Sequence, residues 1–208
     1  MIEVLPAILE KTFEGVRQKC ERLRGVADRA QLDIADGVFV PEESWRDAGQ
    51  FSDLETDVVF DLHMMVDKPE QYITQWNHER IFRFTFHHSA TYDVLRTIKR
   101  IKETGKEVGV ALNLETPVER VFDVLGEIDA VQVMGIVPGA QGRDFDPKAI
   151  EKVRQVRERD PHIAIVVDGG VSPLVAPGLI AAGATVLVSG SYLFGEEDIQ
   201  AAIQSLQG

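Results

Sequence analysis

The chain has 208 residues, of which 44% are hydrophobic and 27% are charged, and its formal net charge at pH 7 is -12. This length predicts one domain, over residues 1–208, with a sizeable buried core. Nucleic acids and anionic membranes bind through clustered Lys and Arg, so the acidic balance argues against both as main partners. A small phosphorylated ligand fits this balance, because a few backbone N–H groups can hold a phosphate.

The cysteine content and the N-terminal sequence bear on the location of the protein. The chain contains one cysteine, Cys20, so no disulfide can form within it, which is typical of a reducing compartment. Its first residues, Met-Ile-Glu-Val, lack the basic and apolar regions of a signal peptide, and no apolar run approaches the length of a membrane span. We therefore expect a soluble cytoplasmic protein.

One unit recurs along the chain: a short apolar strand, a turn and an amphipathic helix. We predict strands at 3–9, 30–35, 58–66, 82–87, 108–114, 131–137, 163–168 and 185–190. Apolar residues at helical spacing predict helices at 92–103 and 149–158. Further helices should begin at Pro69, Pro117 and Pro173. Strands that alternate with helices in this way predict parallel pairing and a closed (β/α)8 TIM barrel, with an open doubly wound sheet as the alternative.

Successive residues of a strand point to opposite faces, so the sequence also predicts what lies inside the barrel. On the second strand, Leu32 and Ile34 should face the helices. Gln31, Asp33 and Ala35 should then face the interior. The same alternation on the third, fourth and seventh strands predicts the interior residues Asp61, His63, Met65, Arg83, Thr85, His87, Ala164, Val166 and Asp168. Many of the polar side chains lie near the C-terminal ends of their strands, where this fold places its active sites.

Two of these residues, Asp33 and Asp168, are candidates for acid/base chemistry. They lie on strands two and seven, so a closed barrel can place them across its mouth from one another. Two carboxylates on opposite sides of a planar intermediate can remove a proton from one face and return one to the other, as inversion of a carbon beside a carbonyl requires. In the alternative interpretation, Asp168 is a turn residue before Gly169 and Gly170, and Asp33 neutralises a buried base.

Histidines on the inner face suggest a metal site. With Asp33 and Asp168, His63 forms a set suited to a divalent cation, whereas a single inward histidine is more often a hydrogen-bonded core residue. His87 also has inward parity, and the neighbouring His88 should be exposed in the loop.

Glycine-containing turns follow the last three predicted strands. They read Pro-Gly-Ala-Gln-Gly at 138–142, Asp-Gly-Gly-Val at 168–171 and Ser-Gly-Ser at 189–191. Loops after strands seven and eight frequently bind phosphate in a (β/α)8 barrel, because glycine lets backbone N–H groups approach the anion. Two such turns in succession predict a phosphate site.

Together these motifs resemble the ribulose-phosphate 3-epimerase family over nearly the whole chain. The opening Leu-Pro-Ala-Ile-Leu at 5–9 is similar to the family's Pro-Ser-Ile-Leu start. Leu-Asp-Ile-Ala-Asp-Gly-Val-Phe-Val-Pro at 32–41 is similar to its second-strand signature, His-x-Asp-x-Met-Asp-Gly-x-Phe-Val-Pro. Asp-Leu-His-Met-Met-Val at 61–66, followed by Lys-Pro-Glu at 68–70, matches the third-strand motif. The later matches follow in order, namely Met134 with Pro138-Gly139, Val-Asp-Gly-Gly-Val at 167–171 and Ser-Gly-Ser at 189–191.

The resemblance implies an isomerase that epimerises a ketopentose phosphate, of the ribulose 5-phosphate and xylulose 5-phosphate type, through an enediolate. Asp33 and Asp168 would be its acid/base pair. It also implies a divalent metal cofactor (Zn, Mn, Fe or Mg), whose ligand positions are Asp33, His63, Asp168 and Gln31. The implied substrate-binding and phosphate-binding residues are Ala7, Met65, His87, Met134, Gly139, Gly142, Gly169, Gly170, Gly190 and Ser191. The partner would be a small phosphorylated ketose, and we expect a homo-oligomer, specifically a dimer.

The departures from the family pattern fall largely on one side of the pocket. Gln31 stands where the family has a histidine ligand, Ala7 replaces a serine and Ala35 replaces a methionine. An amide oxygen is a weaker and harder ligand than imidazole, so we expect weak zinc binding and a preference for magnesium, manganese or no metal. The turn after strand six has Gln141 where the family has glycine. Arg143 follows it and can add positive charge to a phosphate contact.

These departures leave alternative functions open. One is the epimerisation of another ketose phosphate. A second is a keto-sugar-phosphate decarboxylase or synthase on the same scaffold, although such relatives carry a lysine where this chain has His63. A third is a catalytically impaired barrel that only binds a phosphosugar, which the replacements at Gln31 and Ala7 would explain.

Overall fold

Across residues 2–139 and 142–208, which the computed structural model describes, eight parallel strands close into a barrel in chain order. They are β1 (Glu3–Ile8), β2 (Arg29–Ala35), β3 (Val59–Met65), β4 (Ile81–His87), β5 (Glu107–Leu112), β6 (Ala130–Met134), β7 (Ala164–Asp168) and β8 (Val186–Ser189). The last strand pairs with the first, with Val4 opposite Leu187. This pairing confirms the predicted (β/α)8 barrel and excludes the open sheet.

Helices occupy the connections on the outside of the barrel. They are α1 (Phe13–Leu23), α2 (Ala48–Phe51), α3 (Val94–Lys102), α4 (Lys148–Arg159), α5 (Ala176–Ala182), α6 (Ser191–Gly195) and α7 (Ile199–Gln207), with 3-10 segments at Pro69–Gln71, His88–Ala90 and Val118–Glu127. Four of the α-helices are preceded by an N-cap residue whose side chain accepts a hydrogen bond from a backbone N–H of the first turn. These capping residues are Thr12, Asp47, Asp93 and Asp198. Within the described part of the chain, no helix is long and apolar enough to cross a membrane.

Two predicted strands, 108–114 and 131–137, are too long at their C-terminal ends. β5 ends at Leu112 and β6 ends at Met134. After β6 the backbone turns at Gly135, whose N–H donates to the carbonyl group at the end of β7 over 2.7 Å. The loop after β6 therefore starts within the mouth of the barrel.

The three predicted helix starts also need correction. Pro69 begins a 3-10 segment of three residues, and Pro117 precedes another 3-10 segment, so neither starts an α-helix. Pro173 lies in a turn in which the N–H groups of Val175 and Ala176 both donate to the carbonyl of Ser172, and α5 begins only at Ala176. In all three places proline starts a helical turn, but that turn does not continue as an α-helix from the proline.

The predicted faces of the strands are the observed ones. Outward side chains form the apolar layer between the strands and the helices, and its fully buried members include Leu32, Ile34, Phe60, Leu62, Met64, Phe84, Phe86, Ile165 and Val167. Inside the barrel, β1, β6, β7 and β8 contribute a second apolar cluster of Leu5, Ala7, Ala130, Val166, Val186 and Val188. The inner faces of β2, β3 and β4 are mostly polar instead. Most polar groups of the interior therefore lie on this side of the barrel, and Gln132 and Asp168 are buried polar residues on β6 and β7.

The polar residues deepest in the barrel form a closed network around Asp61. Nε and Nη2 of Arg83 lie 2.8 and 2.6 Å from Asp61 Oδ2, and the Thr85 hydroxyl donates to Asp61 Oδ1 over 2.7 Å. All three side chains are buried. Both carboxylate oxygens of Asp61 therefore have partners within the interior. Asp61 lies two residues before His63, on the same inner face of β3.

Candidate active site

A cavity of about 330 Å³ lies at the C-terminal end of the barrel. Asp33 of β2 and Asp168 of β7 both border it, as their strand positions predict. Most of the predicted substrate-binding and phosphate-binding residues border the same cavity: Ala7, Met65, Met134, Gly139, Gly142, Gly169, Gly170, Gly190 and Ser191. The closed barrel thus brings together side chains and turns from widely separated parts of the chain.

Gln31, His63 and His87 are not among the described residues that border this cavity. All three are fully buried. His87, which we predicted to contact substrate, lies behind His63, with the two rings stacked at a centroid distance of 5.0 Å. These residues therefore support the two aspartates from within the barrel.

The side-chain amide of Gln31 joins the two aspartates. Its Nε2 atom donates to Asp33 Oδ1 over 2.7 Å and to Asp168 Oδ2 over 2.8 Å. The same nitrogen lies 3.2 Å from Nδ1 of His63. Because the amide has two N–H hydrogens, the two carboxylates use both of them.

His63 connects this group to His87. Its Nδ1 atom lies 2.8 Å from Asp33 Oδ1, and its Nε2 atom lies 2.9 Å from Nε2 of His87. Burial and the charge of His63 lower the pKa of His87 well below 6.5, so His87 is neutral near pH 7. A neutral His87 can accept at Nε2, and we therefore assign His63 as the donor in this pair.

The buried carboxylates shift the pKa values of this group. Burial and the charge of Asp33 raise the pKa of Asp168 from 3.8 to about 7, against the opposing effects of His63 and of the hydrogen bond from Gln31. Burial alone would lower the pKa of His63. The hydrogen bond with Asp33 and the nearby carboxylate charges outweigh this effect and raise it above 6.5. Near neutral pH the site can therefore hold a proton on Asp168.

Three of these side chains can hold a metal ion. One ligand atom from each of Asp33, His63 and Asp168 lies within 4.8 Å of the others. Carboxylate oxygen and imidazole nitrogen are ordinary ligands of divalent transition metals. Gln31 was predicted to be the fourth ligand. It does not present a ligand atom here, because its amide nitrogen points at this group and has no lone pair to give to a metal. The residues therefore fit a metal with three protein ligands, provided that the Gln31 amide moves.

Two supporting residues were missed by the sequence analysis. Gln132 of β6 is fully buried, and its Nε2 donates to Asp168 Oδ2 over 3.1 Å. It lies two residues before Met134, so strand alternation places both on the inner face and would have identified it. The hydroxyl of Ser44 donates to the backbone carbonyl of Asp33 over 3.0 Å, and no periodic pattern marks this loop residue.

The turns after β7 and β8 form one side of the cavity. Gly169 and Gly170 have φ angles of +102° and +69°, which side-chain-bearing residues rarely adopt. A Cβ on Gly170 would lie 2.9 Å from the Cα of Phe145. These positions therefore require glycine, and the backbone comes close to the space where a ligand would lie.

The loop after β6 meets the loop after β2 at the rim. Nη2 of Arg143 lies 3.4 Å from a carboxylate oxygen of Glu42, and Nη1 donates to the carbonyl of Val137 over 3.3 Å. Arg143 also borders the cavity, so its charge is available to an anion there. Gln141, at which we noted a departure from the family pattern, lies outside the described residues.

Comparisons with known proteins agree with this architecture. The ribulose-phosphate 3 epimerase family model matches residues 3–194. The ribulose-phosphate 3-epimerase of Bacillus subtilis is 33% identical to this chain and aligns with 100% of it and 99% of its own length. The ribulose-phosphate 3-epimerase of Eremothecium gossypii is 34% identical, with coverages of 94% and 87%.

Among solved structures, a 3-hexulose-6-phosphate synthase superposes with a TM-score of 0.66 and covers 99% of this chain and 97% of its own. At 19% identity, this likeness shows the shared fold alone. The family match and the two relatives cover the strands that carry both aspartates and all the glycine turns. This chain therefore belongs to the ribulose-phosphate 3-epimerase family, a family of isomerases that act on carbohydrate phosphates.

Proposed function

We propose that the chain is a ketopentose-phosphate 3-epimerase that interconverts ribulose 5-phosphate and xylulose 5-phosphate. The observation that carries this proposal is the pair Asp33 and Asp168, which border one cavity with glycine turns and have a carboxylate oxygen each within 4.8 Å of the other. Membership of the family supports the same substrate class, because relatives matched along their whole length carry that name.

The proposed reaction inverts C3, which lies beside the C2 carbonyl of the ketose. Asp33, as a carboxylate, removes the C3 proton, and the C–H electron pair moves toward the carbonyl oxygen to form an enediolate. Asp168 then gives a proton to the opposite face of C3. The two residues exchange roles in the reverse direction. The pKa of about 7 for Asp168 supports it as the carboxyl group that holds a proton near neutral pH.

The enediolate carries negative charge that the site must stabilise. The raised pKa of His63 favours a positive charge on this side chain, 2.8 Å from Asp33. When bound, a divalent ion (Zn, Mn, Fe or Mg) held by Asp33, His63 and Asp168 would supply Lewis-acid stabilisation of the same charge.

The cavity size and the glycine turns favour a small phosphorylated sugar. A volume of about 330 Å³ is at the small end of ligand pockets. Backbone N–H groups near Gly169, Gly170 and Gly190 can hold the phosphate, with the Ser191 hydroxyl as a further donor. Arg143 adds a positive charge at the rim.

Replacing Gly170 with alanine tests the phosphate site. The added Cβ would be pressed against the Phe145 backbone, so the turn should move and weaken phosphate binding. We expect KM for ribulose 5-phosphate to rise about tenfold, as loss of one hydrogen bond to a charged group would produce. Gly105→Ala is the matched control. Gly105 has a similar φ of +75°, but nothing lies within 4 Å of its Cβ position, so KM should not change.

Two observations bear on the alternative functions. Ala7 borders the cavity as a small side chain where the family has serine, which favours testing larger ketose phosphates. Ala35, where the family has methionine, is fully buried and is not among the described residues that border the cavity. A decarboxylase or synthase of the related type needs lysine at the position of His63. It also needs an available Asp61, whereas Arg83 and Thr85 already engage both oxygens of that carboxylate.

The test is incubation of the protein with ribulose 5-phosphate, xylulose 5-phosphate and a hexulose 6-phosphate in deuterated buffer, followed by NMR. We expect ribulose 5-phosphate to give xylulose 5-phosphate with deuterium at C3. Faster exchange with the hexulose phosphate would reassign the substrate. Thermal stabilisation by a ketose phosphate without any exchange would instead indicate a barrel that only binds its ligand.

A further inference from the structure

We infer that Gln31 is a positioning residue whose side-chain amide does for the two aspartates what a bound cation would do, so that the acid/base pair is assembled without a divalent metal. This inference rests on the proposed function, because it concerns the same pair. It also assigns Gln31 a role different from that of a weak metal ligand.

The position of one atom carries the inference. Nε2 of Gln31 lies 2.7 Å from Asp33 Oδ1, 2.8 Å from Asp168 Oδ2 and 3.2 Å from His63 Nδ1. Those are the three side chains that can hold a metal, and their ligand atoms lie within 4.8 Å of one another. A metal bonded to them at about 2.0–2.2 Å would need the space that Nε2 occupies. The amide nitrogen and a metal therefore exclude each other.

Electrostatics favour this orientation of the amide. Asp33 and Asp168 repel one another when both are ionised, and hydrogens with partial positive charge between them offset that repulsion. Gln31 is fully buried, so these charge-assisted hydrogen bonds are only weakly screened. Turning the amide over would remove both bonds and direct Oε1 toward two carboxylate oxygens. That orientation becomes favourable only with a cation between the oxygens.

The hydrogen bonds of the Gln31 amide also engage only one oxygen of each carboxylate. The hydrogen bonds described for the two side chains fall on Oδ1 of Asp33 and on Oδ2 of Asp168. Proton transfer to a substrate can therefore use the second oxygen of each carboxylate. Gln31 can fix the orientation of both aspartates during the reaction without blocking either one.

The test compares the unaltered chain with Gln31→His, Gln31→Met and Gln132→Met. Gln31→His supplies a fourth ligand, and Gln31→Met removes the link at similar volume. Gln132→Met is the matched control, because it removes one donor to Asp168 but leaves the link through Gln31. Each protein is treated with a chelator and titrated with Mn²⁺, and the bound ion is measured by electron paramagnetic resonance. C3 deuterium exchange from ribulose 5-phosphate is then measured with and without Mn²⁺.

The unaltered chain should keep most of its exchange after chelation and bind Mn²⁺ about 100-fold more weakly than Gln31→His. Gln31→Met should lose metal-free exchange about tenfold or more, with kcat rather than KM affected, and Mn²⁺ should restore it. Gln132→Met should bind Mn²⁺ as weakly as the unaltered chain.

Equal Mn²⁺ affinity in the unaltered chain and Gln31→His would overturn the inference. So would loss of exchange on chelation of the unaltered chain, if Mn²⁺ restores it. If Gln31→Met does not fold, the comparison between the unaltered chain and Gln31→His decides by itself. Absence of exchange in every protein would overturn the proposed function, while the Mn²⁺ affinities would still decide the role of Gln31.

Discussion

Replacing Asp168 with asparagine should stabilise the metal-free folded protein at pH 8 and slow epimerisation about 100- to 10,000-fold. The rate falls because asparagine cannot exchange a proton with C3. The stability rises because the folded state raises the pKa of Asp168 from 3.8 to about 7. A raised carboxyl pKa means that the native state binds this proton more tightly than the unfolded chain, so stability falls as pH rises between about 4 and 7.

The size of the effect follows from the pKa difference. Each pKa unit corresponds to about 1.4 kcal/mol, so ionised Asp168 destabilises the native state by an amount on the order of a few kcal/mol above pH 7. Denaturant unfolding at pH 5 and pH 8 measures this. Asp168→Asn should be the more stable protein at pH 8, and the difference should shrink at pH 5. The control Glu158→Gln removes an exposed carboxylate and should show no such pH dependence. A stability gain that is equal at both pH values would contradict the assignment.

Replacing Arg83 with methionine should lower the free energy of unfolding by about 3–5 kcal/mol, the usual effect of breaking a buried ion pair. Arg83 contacts Asp61 at 2.6 Å, and the Asp61 side chain is 0% exposed. Methionine fills much of the same volume, so the main effect is that a charged carboxylate is left buried and unpaired. Urea unfolding followed by circular dichroism gives the difference directly.

A double variant separates charge from packing. Adding Asp61→Asn to Arg83→Met removes the unpaired charge and keeps an acceptor for the Thr85 hydroxyl. We expect this change to recover more than half of the lost stability. If the double variant is as unstable as Arg83→Met alone, packing of the arginine side chain would be the stabilising factor instead.

Strand alternation predicted the two faces of the barrel correctly because it is a local property. The outward Leu32 and Ile34 and the inward Asp33 follow from the two-residue period of a strand and from the need to bury apolar side chains. The proximity of Asp33 to Asp168, by contrast, depends on how the whole chain folds rather than on local sequence. It followed from the number of strand–helix units, since closure of the barrel leaves only strands eight and one between strands seven and two.

The parts that were not predicted depend on geometry finer than residue spacing. Gln31 was placed on the inner face, but its role as a donor depends on its distances of 2.7 Å to Asp33 on its own strand and 2.8 Å to Asp168 on β7. Similarly, inward parity at His87 does not distinguish a position at the cavity from one behind His63. The segment after Pro117 has helical periodicity, but ten residues do not separate a 3-10 helix from an α-helix.

The most direct test of the two-aspartate mechanism is C3 deuterium exchange from each epimer separately, using Asp33→Asn and Asp168→Asn. If each aspartate removes the proton from one face, neither variant should convert ribulose 5-phosphate to xylulose 5-phosphate at a significant rate. Each should still exchange the C3 proton of one epimer, and the two variants should select opposite epimers. Conversion by either variant at the rate of the unaltered chain, or exchange of the same epimer by both, would contradict the mechanism.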